Sequence, residues 1–327
     1  MSRRAAILVA MLGMFAVHGL PAHAQATRTF VSGHGADSGT CAVTAPCRSF
    51  AFAITQTAAA GEIVVLDSAG YGPITIGQSV SITNPGGVEA GITATAGNNA
   101  VTINTNAAAN VTLRGLTLEG GGGGANGINF ISNFGDAASG GVINIISCVI
   151  KDFSNDGLLL KPTSSNSAAT VSVMITDSFI LGNANDGIEL ASGLLVTAPI
   201  YRTLINSNGS GIVADASNFG SSSVALIDSH VDYNQTLGIL SLAADFTIKS
   251  TTVFGEIDNY LNNFVVSNAS SLSILYNYGG TVSFFGANVI GDLNNDNYAP
   301  GTAIAYTDGT NHFGENLGNP LTLSNPQ

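Results

Sequence analysis

The sequence predicts an all-β fold, a parallel β-helix (solenoid) of roughly ten coils with a short N-terminal capping helix. Three observations predict it. Charged residues make up only 9% of the 327-residue chain while Gly occurs 40 times. Helices usually carry many Lys, Glu and Arg on their wet faces, and here these are scarce. Hydrophobic residues reach 45%, too many and too evenly spread for disorder. The chain also repeats. Gly127, Gly157, Gly187, Gly211 and Gly238 each precede an apolar residue, at spacings of 30, 30, 24 and 27. Units of this length, with short strands and Gly or Asn at the corners, are the mark of a solenoid. Roughly ten coils between Glu62 and Ala305, stacked at about 4.8 Å, would make a rod on the order of 50 Å long.

The elements follow in order. The chain opens with Arg3 and Arg4, an apolar run over 5–17, and Ala22-His23-Ala24. That pattern predicts a secretory signal peptide over 1–24, and a secreted, periplasmic or cell-surface protein. No segment is long and apolar enough to predict a transmembrane helix. Removing 1–24 leaves 7 basic residues against 21 acids, a net charge of about −14. In an exported chain Cys41 and Cys47 are expected to be bridged. Cys148, in an apolar strand-like run, is expected to be buried and inert. Residues 25–61 are expected to form the N-terminal cap, with Thr44 capping its helix and Pro46 in the first turn. Phe50, Ala53, Ile54 and Ala58 would be the apolar face. Residues 62–306 are expected to form the β-helix, and 307–327 a C-terminal tail or cap.

Stacking turns alignment columns into spatial neighbours. Cys148, Ser178, Thr203, Ser229 and Ser250 form a column of small residues, expected where each strand bends into the next sheet. Asn183, Asn208 and Asn234 form a second. Each amide there is expected to bond to the next coil, and Asn tolerates the left-handed backbone of a turn. The column before the corner reads Arg114, Ser147, Asp177, Arg202, Asp228, Lys249. Asp177, Arg202, Asp228 and Lys249 alternate in sign, which predicts a structural charge ladder; a sugar-binding polar track is the alternative.

Two stretches carry a resemblance. "TFVSGHGADSGTCAVTAPCRSFAFAI", followed by "GEIVVLDSAGYGPITIGQSVSI", resembles the N-terminal cap and first coil of secreted bacterial right-handed parallel β-helix proteins of the pectin-lyase-like superfamily. "GGTVSFFGANVIGDLNNDN" is similar to their last coil. The resemblance implies the handedness of the coil. It implies no single activity, since the superfamily holds lyases, hydrolases, epimerases and adhesins.

The motifs of those enzymes are not matched. Glycosidases of this fold pair an Asn-x-Asp strand motif with an Asp-Asp pair, Gly-His-Gly and Arg-x-Lys. "NANDGIE" is only superficially similar to the first, and neither an Asp-Asp pair nor Arg-x-Lys occurs; Gly33-His34-Gly35 stands far from it in the sequence. The acidic charge argues against a nucleic-acid partner, which needs clustered Lys and Arg. His34, His230 and His312 fall on unrelated coils. Asp156 and Asp186 lie 30 residues apart, each before a Gly. Their leading reading is as turn residues. Stacked carboxylates repel unless something lies between them, so the alternative is a Ca2+ site. No other cofactor is expected. The sequence thus favours a non-catalytic exported protein that presents a long surface to carbohydrate or the cell envelope. The alternative is a polysaccharide lyase or glycoside hydrolase acting on an acidic polysaccharide.

Overall fold

The computed structural model describes residues 25–105, 108–134, 139–164, 169–191, 194–215, 221–260, 263–267, 270–277, 281–295, 304–307, 312–318 and 322–323. The signal peptide expected over 1–24 lies outside the described residues, as does most of the expected C-terminal tail.

The chain is a parallel β-solenoid. One long sheet holds 13 strands in sequence order, each parallel to the next. It buries one column of aliphatic side chains: Ile82, Leu113, Ile145, Ile175, Ile200, Leu226, Ile248 and Val266 lie in register and are at most 1% exposed. Burying each such side chain stabilises by about 1.5–3 kcal/mol. Period-2 alternation turns the intervening residues outward. The parallel ladder continues past residue 306, through Ile304–Thr307, His312–Gly318 and Thr322–Leu323.

The remaining strands form an 18-stranded sheet made of two columns. One runs through Leu116–Glu119, Val149–Lys151, Phe179–Leu181, Leu204–Asn206 and His230–Asp232. The other runs through Ile128–Phe130, Leu158–Leu160, Asp186–Ala191, Ser210–Asp215 and Leu237–Leu242. The nine-residue strand Thr252–Tyr260 pairs with the last member of both and fuses them. Among the described residues each coil from Thr57 onward thus has three strands before residue 252 and two after it. The corner closes where Gly255, at φ +140°, carries the strand through without a turn.

The Asn column explains that corner. Asn208 Oδ1 accepts from the Asn183 backbone N–H at 3.1 Å and from Asn183 Nδ2 at 2.8 Å. Asn234 Oδ1 accepts from Asn208 in the same way, at 3.0 and 3.1 Å. The Gly repeat follows from this ladder. A Cβ at Gly187 would stand 2.7 Å from Gly211 O and 2.9 Å from Asn208 Nδ2. The left-handed residue is not the Asn, as the sequence suggests, but the one before it: Gly182, Ser207 and Tyr233 have φ of +64°, +58° and +51°. Phe254 and Gly255 follow in the next coil, no Asn continues the column, and the turn disappears.

The other corner shifts the sequence register by one residue. Ile227 pairs with Lys249, so Ser250 aligns with Asp228 and Thr251 with Ser229. The small-residue column is therefore Cys148, Ser178, Thr203, Ser229 and Thr251. Ser178, Ser229 and Thr251 each accept a backbone N–H from the coil before, at 3.1 to 3.2 Å. Ser147, Asp177, Arg202, Asp228 and Ser250 all take φ between +44° and +53°. Lys249 and Arg114 precede this column and belong to the strands. Consecutive Ser250, Thr251 and Thr252 hide the register in the sequence, and the opposite charges of Asp228 and Lys249 suggest the wrong one.

At the N-terminal end the helix is Phe50–Gln56, capped by Ser49, whose Oγ accepts from Phe52 N–H at 3.2 Å. Thr44 and Pro46 do not start it. Cys41 and Cys47 are bridged, and their segment lies along the edge of strand Ala26–Val31. Phe30 N–H donates to Cys41 O, Cys47 N–H to Phe30 O, and Ser32 N–H to Cys47 O. Those bonds hold 41–47 out of any helix. Ala58 lies in strand Thr57–Val65 rather than on the helix.

Candidate functional site

The turn before each Gly of the repeat carries a second ladder. Asn126 Nδ2 donates to Asn99 Oδ1 at 2.9 Å, and Asp156 N–H to Asn126 Oδ1 at 3.2 Å. Asp186 N–H and Asn185 Nδ2 donate to Asp156 Oδ1 at 3.1 and 2.7 Å. Asp156 and Asp186 thus continue a column begun by two Asn residues and followed by Ser210. The sequence shows the Asp pair. It hides the Asn members, although Asn126 also stands directly before a Gly.

Replacing Asn by Asp brings charge into a nearly closed place. Asp156 is 3% exposed and Asp186 is 7% exposed. Glu189, outward on the strand Asp186–Ala191 and half-buried, brings the third carboxylate. One oxygen from each lies within 4.8 Å of the others. Lys161 Nζ stands 3.2 Å from Glu189 Oε1 and is the cation paired with this group. Burial raises the Asp186 pKa to about 6, helped by Asp156 and Glu189 and opposed by a hydrogen bond from Ser210. Burial also raises Glu189, with Lys161 opposing and Asp156 adding to the shift. One ammonium cannot balance three carboxylates, so below about pH 6 the cluster holds a proton. Above that pH a divalent cation with oxygen ligands could take the proton's place. A carboxylic acid beside a carboxylate is also the pairing that glycoside hydrolysis uses.

The other expected residues do not join this cluster. Arg202 makes a two-pronged pair with Asp177, Nε to Oδ1 at 2.6 Å and Nη2 to Oδ2 at 3.0 Å. The pair is exposed, and the hydrogen bond from Arg202 holds the Asp177 carboxyl below its ordinary range. Asp228 acts on Arg202 through its field alone, and Lys249 stands outside the column. Lys151 pairs with Glu119 at 3.3 Å, one coil away. Cys148 is buried, and burial pushes its thiol up to about 11. A cleft of about 560 Å3 beside the helix is lined by residues including Ile54, Thr75, Asn98 and Thr102, none of them titratable. It is remote in sequence from the acidic cluster.

Fold and ladders together define the class, a parallel β-solenoid with a disulfide at its first strand. No family model, curated protein or solved structure matches the chain. No helix among the described residues is long and apolar enough to cross a membrane.

Proposed function

We propose that the protein is an exported, non-catalytic rod that contacts carbohydrate or the cell envelope along its length. In this reading residues 1–24 are its signal peptide. The coil is the right-handed parallel β-helix of pectin-lyase-like proteins, and 25–61 closes its N-terminal end. The outer face of the long sheet carries the reading. Ser81, Thr112 and Asn144 stack outward in one column, and Ser172, Thr197 and Ser223 in another. These are short, uncharged donors and acceptors repeated at about 4.8 Å along a rod. A neutral glycan chain offers hydroxyls at similar intervals. Parallel sheets elsewhere are usually covered on both faces, so these polar runs, left open between outward residues such as Val142 and Met174, are suited to a partner that is itself polar.

Asp156 and Asp186 serve here as ladder residues, with Ca2+ as the alternative to the shared proton. A second reading has one observation in its favour. The raised pKa values of Asp186 and Glu189 would suit an acid in a polysaccharide hydrolase or lyase. One experiment separates the two. The chain from residue 25 is incubated with uronate and neutral polysaccharides, following co-sedimentation, unsaturated product and reducing ends together. Binding without product is expected. Enzymatic release of either product would overturn the leading reading.

A further inference from the structure

Tyr233 is misplaced by every local rule. Its column at the corner reads Asp152, Gly182, Ser207, Tyr233, Gly255, and all five have positive φ. Small or turn-forming residues suit a left-handed backbone, whereas a bulky ring there is a genuine outlier. The ring recovers nothing by burial, since Tyr233 is 74% exposed. Phe254, in the next coil, is 54% exposed, and the two ring centroids lie 6.1 Å apart with planes inclined at 34°. An aromatic pair held in solvent on a strained turn opposes stability, and such strain concentrates at functional positions.

Asp232 lies directly before Tyr233. Its Oδ1 is buried with no hydrogen-bond partner, while Oδ2 stands 3.9 Å from His230 Nδ1. A buried acceptor left unsatisfied is costly and calls for a donor. Two coils toward the N-terminus, Phe179 is 47% exposed, in register with Leu204 and His230. The face therefore carries Phe179, then His230 and Asp232, then the Tyr233–Phe254 pair, over about three coil spacings of 4.8 Å.

The geometry points to a sugar-stacking site on this face, in which a linear neutral glycan lies along the rod. One pyranose ring packs its C–H face on Tyr233 and Phe254, and a hydroxyl donates to the exposed part of the Asp232 carboxylate. The chemistry is that of an apolar platform with a few placed polar groups. The coil spacing is close to the length of one pyranose residue, so successive rings meet successive coils. The strongly acidic chain, at −12 overall, disfavours a uronate here. A cationic ligand could also meet an aromatic pair and a carboxylate. The hydroxyl donor is favoured because His230 Nδ1 already faces Oδ2 of the same carboxylate. The inference rests on the proposed glycan-contacting function, and moves the stacking contact from the long sheet to the adjoining face.

Calorimetry with cellohexaose, xylohexaose and tetramethylammonium, each to about 1 mM, tests it on the parent, Tyr233→Gly, Phe254→Ala, Asp232→Asn and the remote control Thr44→Ala, exposed in the disulfide loop. At least one hexasaccharide should bind the parent. Tyr233→Gly and Phe254→Ala should weaken it about tenfold or more, Asp232→Asn less, and Thr44→Ala not at all. Tyr233→Gly should also raise the Tm by about 2 °C by removing the strain, so lost binding could not be misfolding. Unchanged binding by Tyr233→Gly would overturn the site and leave the glycan-contacting rod standing. No hexasaccharide binding to the parent would overturn it too; the rod reading itself falls only if polysaccharide co-sedimentation also fails. Tetramethylammonium binding tighter than either hexasaccharide, and lost in Tyr233→Gly, would make the site a cation site instead.

Discussion

Single buried amides hold the corner of this solenoid. Asn208 is fully buried, accepts two hydrogen bonds from Asn183, and donates to Asn234 and to Ile180 O. Asn208→Ala leaves the Asn183 donors unpaired in the interior. A loss of about 3 kcal/mol is expected, read by chemical denaturation. The acidic column behaves differently. A carboxyl whose folded pKa is raised contributes most when neutral. The contribution of Asp186 is full below about pH 4 and lost as pH rises through about 6. Without divalent cations the Tm should therefore fall over that window, and Asp186→Asn should flatten the fall. If Ca2+ replaces the proton, millimolar calcium at pH 7 should restore the parent Tm and leave Asp186→Asn unmoved. A parent that ignores calcium would leave the cluster a proton-sharing ladder.

At the scale of elements, the sequence reveals most where one residue type recurs at a fixed place. Gly157, Gly187 and Gly211 are legible because a Cβ there would strike the next coil. The Asn183, Asn208 and Asn234 column is legible for the same reason. The corner at Lys249 is not, because Ser250, Thr251 and Thr252 look alike and a slip of one residue leaves the pattern intact. The second ladder is hidden because Asn and Asp share its place. The Tyr233–Phe254 pair is hidden because it breaks its column instead of repeating it. The disulfide is legible from the expected export and the spacing, but its task appears only in the structure. It fixes 41–47 along the edge of Ala26–Val31, whose open backbone would otherwise invite pairing with another chain. Thiol titration should find no reactive group in native protein and one, Cys148, in denaturant. Reductant should then release all three cysteines. Reduced protein should also aggregate on heating before the oxidised form does.

The whole molecule is a stack whose inside and outside do separate work. Aliphatic columns and amide ladders inside make each coil depend on its neighbours. Outside, the long sheet carries runs of hydroxyls and amides, the adjoining face carries exposed rings, and the acidic cluster is partly closed and paired with Lys161. The account holds that contact with glycan belongs to the outer faces and needs no chemistry from the acids. One measurement addresses this directly: the depletion isotherm on an insoluble neutral polysaccharide, with reducing ends assayed in the same supernatant, for the parent and for an Asp186→Asn/Glu189→Gln double variant. Equal saturable binding by both proteins, with no reducing ends released, is the predicted result. Reducing ends released by the parent, and lowered about 100-fold or more in the double variant, would contradict the account and make the cluster an active site.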